Sequence, residues 1–461
     1  MTVQRSQPWG PTRRSRRHAA AAAASIAVLG VALFAVTTPA IAASGRAGRA
    51  EATYRARPRN GGPVDTTRPT FSNPAHITNP LFPVSTVTSI VLLGEASGER
   101  TRFEITRLPD TKTIDWNGQH IKTVVSQFTA FTNGRIHESA LDYFAQADDG
   151  SVWYLGEDVA NYDNGVVVNH TGTWLAGRDG PAGMIMPADP RVGDVFHSEN
   201  IPGLVFEEDT VTATGLTVST PSGPVSGAIR IREVLMDGTR EDKVYAPGYG
   251  QLTAVDLDAS GNETLALAVP TDTHRSRLPA ALATIRNRAD DLTTIENPPD
   301  WDELHSTVQE IQAAWRDYQA TGVPDLLNAQ QSEAIQSLAD HVDAHELAEV
   351  HQAAIEVTQA TLDLTMRHRP PTEIDLGRVD TWATQLLIDA ALSNAPDTRG
   401  DVASIEATWT RVRSAVDPQT SKRVDRLIAR LRNDADHGDL ASAAKTATKI
   451  RAHLERNGEH H

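Results

Sequence analysis

Near residue 300 the hydrophobic pattern changes its period, and that change restricts the chain to few architectures. Upstream, apolar residues recur at every second position in short runs rich in Val, Ile and Thr, the pattern of strands with one buried face. Downstream, Trp301, Leu304, Val308, Ile311, Trp315 and Tyr318 follow at alternating steps of three and four, the seam of a packed helix. A side-chain set that lines one face at period two is scattered around a helix, so the two halves cannot share one kind of element.

The strand-type runs are Ser85–Leu93, Arg102–Thr106, Ile121–Phe131, His137–Gln146, Ser151–Glu157, Gly165–Asn169, Asp209–Val218, Gly227–Leu235, Arg240–Tyr245, Gln251–Leu257 and Glu263–Val269. Asn117-Gly118, Asp149-Gly150, Asn164-Gly165 and, most clearly, Asp237-Gly238 mark hairpin turns between them. Hairpins with no helical run between strands predict an antiparallel β domain over 71–270. Residues 271–299 form a bridge with one helix (Pro279–Thr293) ending in Asn297-Pro298-Pro299. An up-and-down α-helical bundle then spans 300–456, followed by a short tail, 457–461. Further helices are expected at about 325–341, 343–366, 374–393, 419–434 and 438–455. Val402, Ile405, Trp409, Val412 and Val416 repeat the Trp301–Tyr318 pattern in kind. The expected class is therefore α+β, multidomain.

The first 42 residues read as a signal peptide: five arginines (Arg5, Arg13, Arg14, Arg16, Arg17), an apolar run from Ala19 to Val36, and Ala40-Ile41-Ala42 as the cleavage pattern. Residues 43–70, rich in Arg, Gly and Pro, read as a disordered linker. Cleavage would leave no stable transmembrane anchor and would place the mature chain outside the cytoplasm, extracellular or attached to the cell envelope. Without those five arginines the formal charge of −16 falls by five more, to −21. Such a chain repels phosphate backbones, so nucleic acid is not an expected partner. With no cysteine, thiolate metal sites and thiol catalysis are excluded.

Three groups of residues carry possible chemistry. If Ala147–Gly150 is a four-residue hairpin loop, Phe144 faces Trp153, and Glu138, Asp142, Phe144, Trp153 and Glu157 share one face. Two carboxylates near a tryptophan suit a sugar or a divalent cation, the candidate cofactor, or the paired carboxylates of a glycoside hydrolase. His341, His345 and Glu349 are spaced to align three metal ligands on one continuous helix, although Asp343 and Glu346 also have the spacing of a helix start. Asp256-Leu-Asp258-Ala-Ser260-Gly261 opens like a calcium loop, but its twelfth position is Leu267, so a hairpin turn is the expected structure. No complete catalytic signature is present.

Asn73-Pro74, Ile77-Thr-Asn-Pro-Leu-Phe-Pro83, Asp142-Tyr143, Val152-Trp-Tyr154, Gly156-Glu157, Ala176-Gly177, Met186-Pro-Ala188 and Gly193-Asp194 together resemble a group of uncharacterised exported bacterial proteins, over roughly residues 71–257. That resemblance implies export and lends no catalytic residue. Tyr245-Ala-Pro-Gly-Tyr-Gly250 is similar to closing strands in exported proteins with a curved, half-open antiparallel sheet, lipoprotein carriers among them. This implies a concave apolar face that holds a ligand. The leading expectation is an exported cell-envelope binding or interaction protein with a small or apolar ligand. The alternatives are an extracytoplasmic cation-binding protein and a hydrolase working through Asp142 and Glu157.

Overall fold

The structure, a computed structural model, describes residues 61–96, 98–258, 264–270, 276–295 and 298–458. The expected signal peptide, most of the expected linker and residues 459–461 lie outside them.

A meander of hairpins forms the first half of the sheet: β1 (Ser89–Ala96), β2 (Glu99–Trp116), β3 (Gln119–Thr132), β4 (Arg135–Gln146), β5 (Val152–Asp163) and β6 (Val166–Asn169). Both residues of Asn117-Gly118, Asn133-Gly134 and Asn164-Gly165 have positive φ, the tight turn whose twist matches paired strands. Two short strands, β7 (Trp174–Leu175) and β8 (Gly183–Met186), pair with β5. A second meander follows: β9 (Val195–Ile201), β10 (Val205–Thr220), β11 (Gly223–Leu235), β12 (Arg240–Ala246), β13 (Gly250–Asp256) and β14 (Thr264–Pro270). β14 pairs back on β1, so the order is β6-β5-β4-β3-β2-β1-β14-β13-β12-β11-β10-β9, antiparallel throughout. The segment Gly177–Gly183 reads from sequence as a loop over one end of the sheet; it joins β7 to β8, and only Gly183 enters a strand.

The sheet is open in its ladder yet curls until its ends approach. β8 lies so close to β9 that a Cβ on Gly183 would sit 1.9 Å from the Ser198 carbonyl oxygen. Side chains alternate between the inside of the curl and its outer face. Inside, Ile90, Leu92, Phe103, Phe128, Ala140, Leu252, Leu265 and Leu267 form one apolar cluster.

The Asn-Pro-rich segment before β1 closes one end of the curl. The amides of Thr78 and Asn79 donate to Gln146 Oε1 at 2.7 and 2.9 Å, and Asn79 Nδ2 donates to the Gly150 and Pro187 carbonyls, both at 3.1 Å. These bonds bury Ile77 and Leu81 and set Phe82 edge-on to Phe144 at 4.9 Å. Residues 61–70, the described part of the expected linker, contact the sheet. Val64 N donates to Val195 O at 2.9 Å, and Asp65 accepts from His197 Nδ1 at 2.7 Å.

The helical half expected from the sequence is present and has two cores of four helices each. The first contains α1 (Ala280–Leu292), α2 (Trp301–Gln319), α3 (Asp325–Asp343) and α4 (Leu347–Thr365). The second contains α5 (Pro371–Ala391), α6 (Ala395–Val412), α7 (Pro418–Asp436) and α8 (Leu440–Gly458). Helix α1, expected within the bridge, instead buries Leu282, Ile285, Ala289 and Leu292 in the first core. Those four residues recur at an offset of 94, from 282 to 376, as Leu376, Val379, Ala383 and Leu386. Ile311 and Trp315 recur likewise as Ile405 and Trp409, and Ile335, Leu338 and Leu347 recur at an offset of 93 as Ile428, Leu431 and Leu440. Even the joints correspond: His345 and Gly438, also 93 apart, both have positive φ after α3 and α7. Trp315 Nε1 donates to Ser332 Oγ at 3.0 Å and Trp409 Nε1 to Asp425 Oδ1 at 2.7 Å, each reaching the next helix. The bundles are an internal duplication.

Both bundles pack on the outer face of the sheet, the first against Val91, Ala268 and Val269, the second against Phe131 and Ile136. A buried ion network joins them there. Arg102 of β2 forks onto Asp363 of α4 at 2.5 and 2.7 Å, and Arg378 of α5 bonds Asp363 at 3.0 Å and Asp375 at 2.8 Å. Arg411 of α6 reaches Glu104 at 2.5 Å, Gln127 at 2.6 Å and Thr129 at 3.0 Å. Burial works against the charge on Glu104, but Arg378, Arg102 and Arg411 override it and hold the carboxyl well below its usual range.

Candidate functional site

The hairpin β4–β5 decides which side chains enter the curl. Its loop is one residue longer than expected: the Ala147 amide donates to the Ser151 carbonyl, so Gln146 faces Val152 and Phe144 faces Tyr154. A bulge at Leu155-Gly156, where Gly156 takes φ +130°, then restores the phase and sets Asp142 directly opposite Glu157. Asp142 and Glu157 therefore share the inner face, with Glu138 two pairs along. Trp153 does not join them. It faces the other way, its ring 5.8 Å from Trp116 and its Nε1 donating to Ser151 Oγ at 2.9 Å. Tyr154 takes its place and donates to Asp142 Oδ1 at 2.9 Å.

The carboxyls continue on the opposite wall, where sequence reasoning missed them. Asp209 pairs with Glu233 and Glu233 with Glu241 across β10, β11 and β12, while Glu199 of β9 pairs with Glu207 of β10. All are buried, as is Lys243, whose Nζ lies 2.5 Å from Glu233 Oε2 and 3.8 Å from Glu241 Oε2. The walls meet where Glu157 hydrogen-bonds Glu199, which also accepts from Trp174 Nε1 at 3.1 Å. Their signal was legible in principle. Val205-x-Glu207-x-Asp209-x-Val211 and Ile229-x-Ile231-x-Glu233-x-Leu235 place acids at positions whose neighbours two residues away are core.

One ammonium cannot neutralise this many carboxylates in a closed interior, so protons must do it. Burial, then Asp142 and Glu199, push Glu138 up to about 8. Burial raises Asp142 to about 7, the Tyr154 hydroxyl opposing, and lifts Glu199 and Asp209 to about 8. Glu157 and Glu207 are driven well above the usual range by burial and then by Glu199 and Glu233 respectively. Burial opposes the charge on Lys243, but Glu233 and Glu241 outweigh it and hold the ammonium charged.

A cavity of about 70 Å³ lies between the closing segment and the sheet. Phe82, Pro83, Val84, Val87, Ile90, Ile105, Phe144, Tyr245 and Tyr249 give it apolar walls; Arg107, Ser126 and Gln251 are its polar side chains. Each of the three carries a buried atom with no hydrogen-bond partner: Arg107 Nε, Ser126 Oγ and Gln251 Nε2. Register connects the cavity to the carboxyls, because Arg107 opposes Ser126, Ser126 opposes Asp142, and Asp142 opposes Glu157. One polar rank thus crosses four strands.

The histidine group is not assembled. The continuous helix it required is broken by the turn at Ala344–Glu346, where His345 has φ +57°. His341 bonds Glu346 at 2.8 Å, His345 stacks on Trp301 at 4.5 Å, and Glu349 lies in the first turn of α4. Among the described residues no group of three or more His, Asp or Glu side chains is arranged to hold a metal ion. The calcium-like loop sits, as expected, between strands β13 and β14, with Asp258 paired to Arg240; residues 259–263 lie outside the described residues. No helix among the described residues is long and apolar enough to cross a membrane.

No family model matches the chain, and no curated protein does. Among solved structures it is similar to a "putative lipoprotein" from Parabacteroides distasonis, at 12% identity and a TM-score of 0.22, over 41% of this chain and 96% of that one. A TM-score of that size carries no argument about fold or function.

Proposed function

We propose that this is an exported, cell-envelope binding protein whose curved sheet holds a small, largely apolar ligand. The cavity between Phe82–Val87 and the inner face of the sheet carries the reading: it is apolar on most sides and has a few convergent polar groups, the usual composition of a ligand site. Export rests on the N-terminal sequence pattern. The test is a methyl-detected titration of the full chain with straight-chain methyl ketones. The Ile90 and Ile105 methyl signals should shift saturably while Ile428, in the second bundle, stays fixed, and Ile105→Trp should abolish the shift. If Ile90 and Ile105 do not respond, the reading fails.

One observation favours a second reading, cation binding in the acidic interior. Glu138 Oε1, Asp142 Oδ2 and Glu157 Oε1 are buried without hydrogen-bond partners. A divalent ion drawing them together would displace protons, so millimolar calcium or zinc would raise the melting temperature and acidify a weakly buffered solution. No change in either quantity ends that reading. The hydrolase alternative has less support. Asp142 and Glu157 do share a face, but they are 0% and 1% exposed, which leaves a glycosidic substrate no surface to reach.

A further inference from the structure

We infer that the cavity selects a small monocarboxylate, an apolar body with an anionic head, through Arg107 backed by Ser126 and Gln251. This rests on the ligand-binding reading above and adds the chemistry of the head group. Three observations lead to it.

The orphaned groups are matched in kind. Arg107 Nε and Gln251 Nε2 are donors, and the Ser126 hydroxyl can serve as a third. A donor set of this kind calls for an acceptor, and a carboxylate offers two oxygens to an arginine fork. No carboxylate is among the residues lining the cavity.

Arg107 also differs from most of the arginines that face the interior or the domain interface. Arg102, Arg135, Arg378, Arg411, Arg432 and Arg451 each sit within ion-pair distance of a carboxylate. Arg107 Nη1 instead donates to the Ser85 carbonyl at 3.2 Å, a neutral partner that fixes the guanidinium without neutralising it. Arg107 is half-buried and faces apolar walls, where water screens its charge poorly, so a carboxylate from the ligand is the natural counter-ion.

The register supplies the third observation. The nearest interior carboxyl along the rank, Asp142, stands directly opposite Ser126 and two strands away from Arg107, with Tyr154 donating to it. Burial lets Asp142 keep its proton up to about pH 7, so the rank behind Ser126 does not repel an anion below neutrality. The apolar tail would lie among Val84, Val87, Ile90 and Ile105, which line the cavity and, except for Ile90, are half-buried.

The experiment titrates the full chain with three homologous series, butanoate to decanoate and the matching methyl ketones and alkylammonium ions, at slightly acid pH. The best carboxylate should bind about tenfold or more tighter than its ketone, with the ammonium ions weakest, because a charge-assisted fork is stronger than a hydrogen bond to a neutral carbonyl. Arg107→Met should remove that preference by lowering carboxylate affinity far more than ketone affinity, and a persisting ketone-induced shift of the Ile90 methyl signal shows that the variant keeps its cavity. Arg107→Lys, which keeps the charge but loses the fork, should fall between them. Carboxylates and ketones binding alike, with Arg107→Met without effect, would overturn the head-group inference and leave the cavity reading standing. Failure of all three series to bind would overturn both.

Discussion

Raising the pH from about 5 to about 8 should destabilise the β domain, because its interior carboxyls have folded-state values above their unfolded ones. Glu138, Glu199 and Asp209 are raised to about 8 and Asp142 to about 7, whereas in an unfolded chain such groups titrate near 4. Between those limits the folded state holds protons that the unfolded state has released. Stability is therefore greatest below the unfolded values and falls as pH rises toward the folded ones. Each retained proton gives a slope of about 1.4 kcal/mol per pH unit, so even two give roughly 2.7 kcal/mol per unit. The carboxyls at the sheet–bundle interface act with the opposite sign. Glu104 and Asp363 are lowered, so their contribution is present above the unfolded value and lost only in acid, below about pH 4.

Urea unfolding at a series of pH values, followed by the fluorescence of Trp116, Trp153 and Trp174, measures the slope. Glu157→Gln sharpens the test. The amide can still donate to Glu199 but cannot ionise, so the slope should become shallower by up to about 1.4 kcal/mol per pH unit. A midpoint that is flat or rises with pH would refute the protonated interior. An unchanged slope in Glu157→Gln would show that Glu157 carries no proton in the folded state.

Arg411→Met should destabilise the chain by about 3–5 kcal/mol in equilibrium unfolding, since it strips Glu104, Gln127 and Thr129 of a buried partner. Lys243→Met should steepen the pH dependence of stability, because Glu199, Glu207 and Asp209 lose the ammonium that now opposes their upward shifts; a slope equal to that of the parent would count against the cluster. Gly438→Ala should cost about 1–2 kcal/mol through backbone conformation alone, as its φ is +73° and nothing lies within 4 Å of the added Cβ. Gly165→Ala should cost clearly more in the same unfolding assay, because its Cβ would meet the α6 backbone at 2.1 Å, at Gly400 N.

The sequence by itself determined the two halves of the fold, because hydrophobic period is a local property: two below residue 270, three to four above 300. It also indicated the hairpins, since Asn-Gly pairs supply the two positive-φ residues that tight turns need. The duplication was visible as the recurrence of the Trp301–Tyr318 pattern near Val402–Val416, although its extent through four helices emerges only when the two cores are compared. Tertiary structure alone decided the rest. Whether Asp142 met Glu157 depended on loop length and on a bulge at Leu155-Gly156, and two one-residue changes of phase removed Trp153 from the face and restored Glu157 to it. The acidic face of the β4–β5 hairpin is the inside of a curl, because the sheet bends until Glu157 of β5 reaches Glu199 of β9. The carboxyls of β9 to β12 become neighbours of Asp142 only through that bend. The same acid is solvated on a flat sheet and protonated in a closed one, and curvature is a property no local pattern carries.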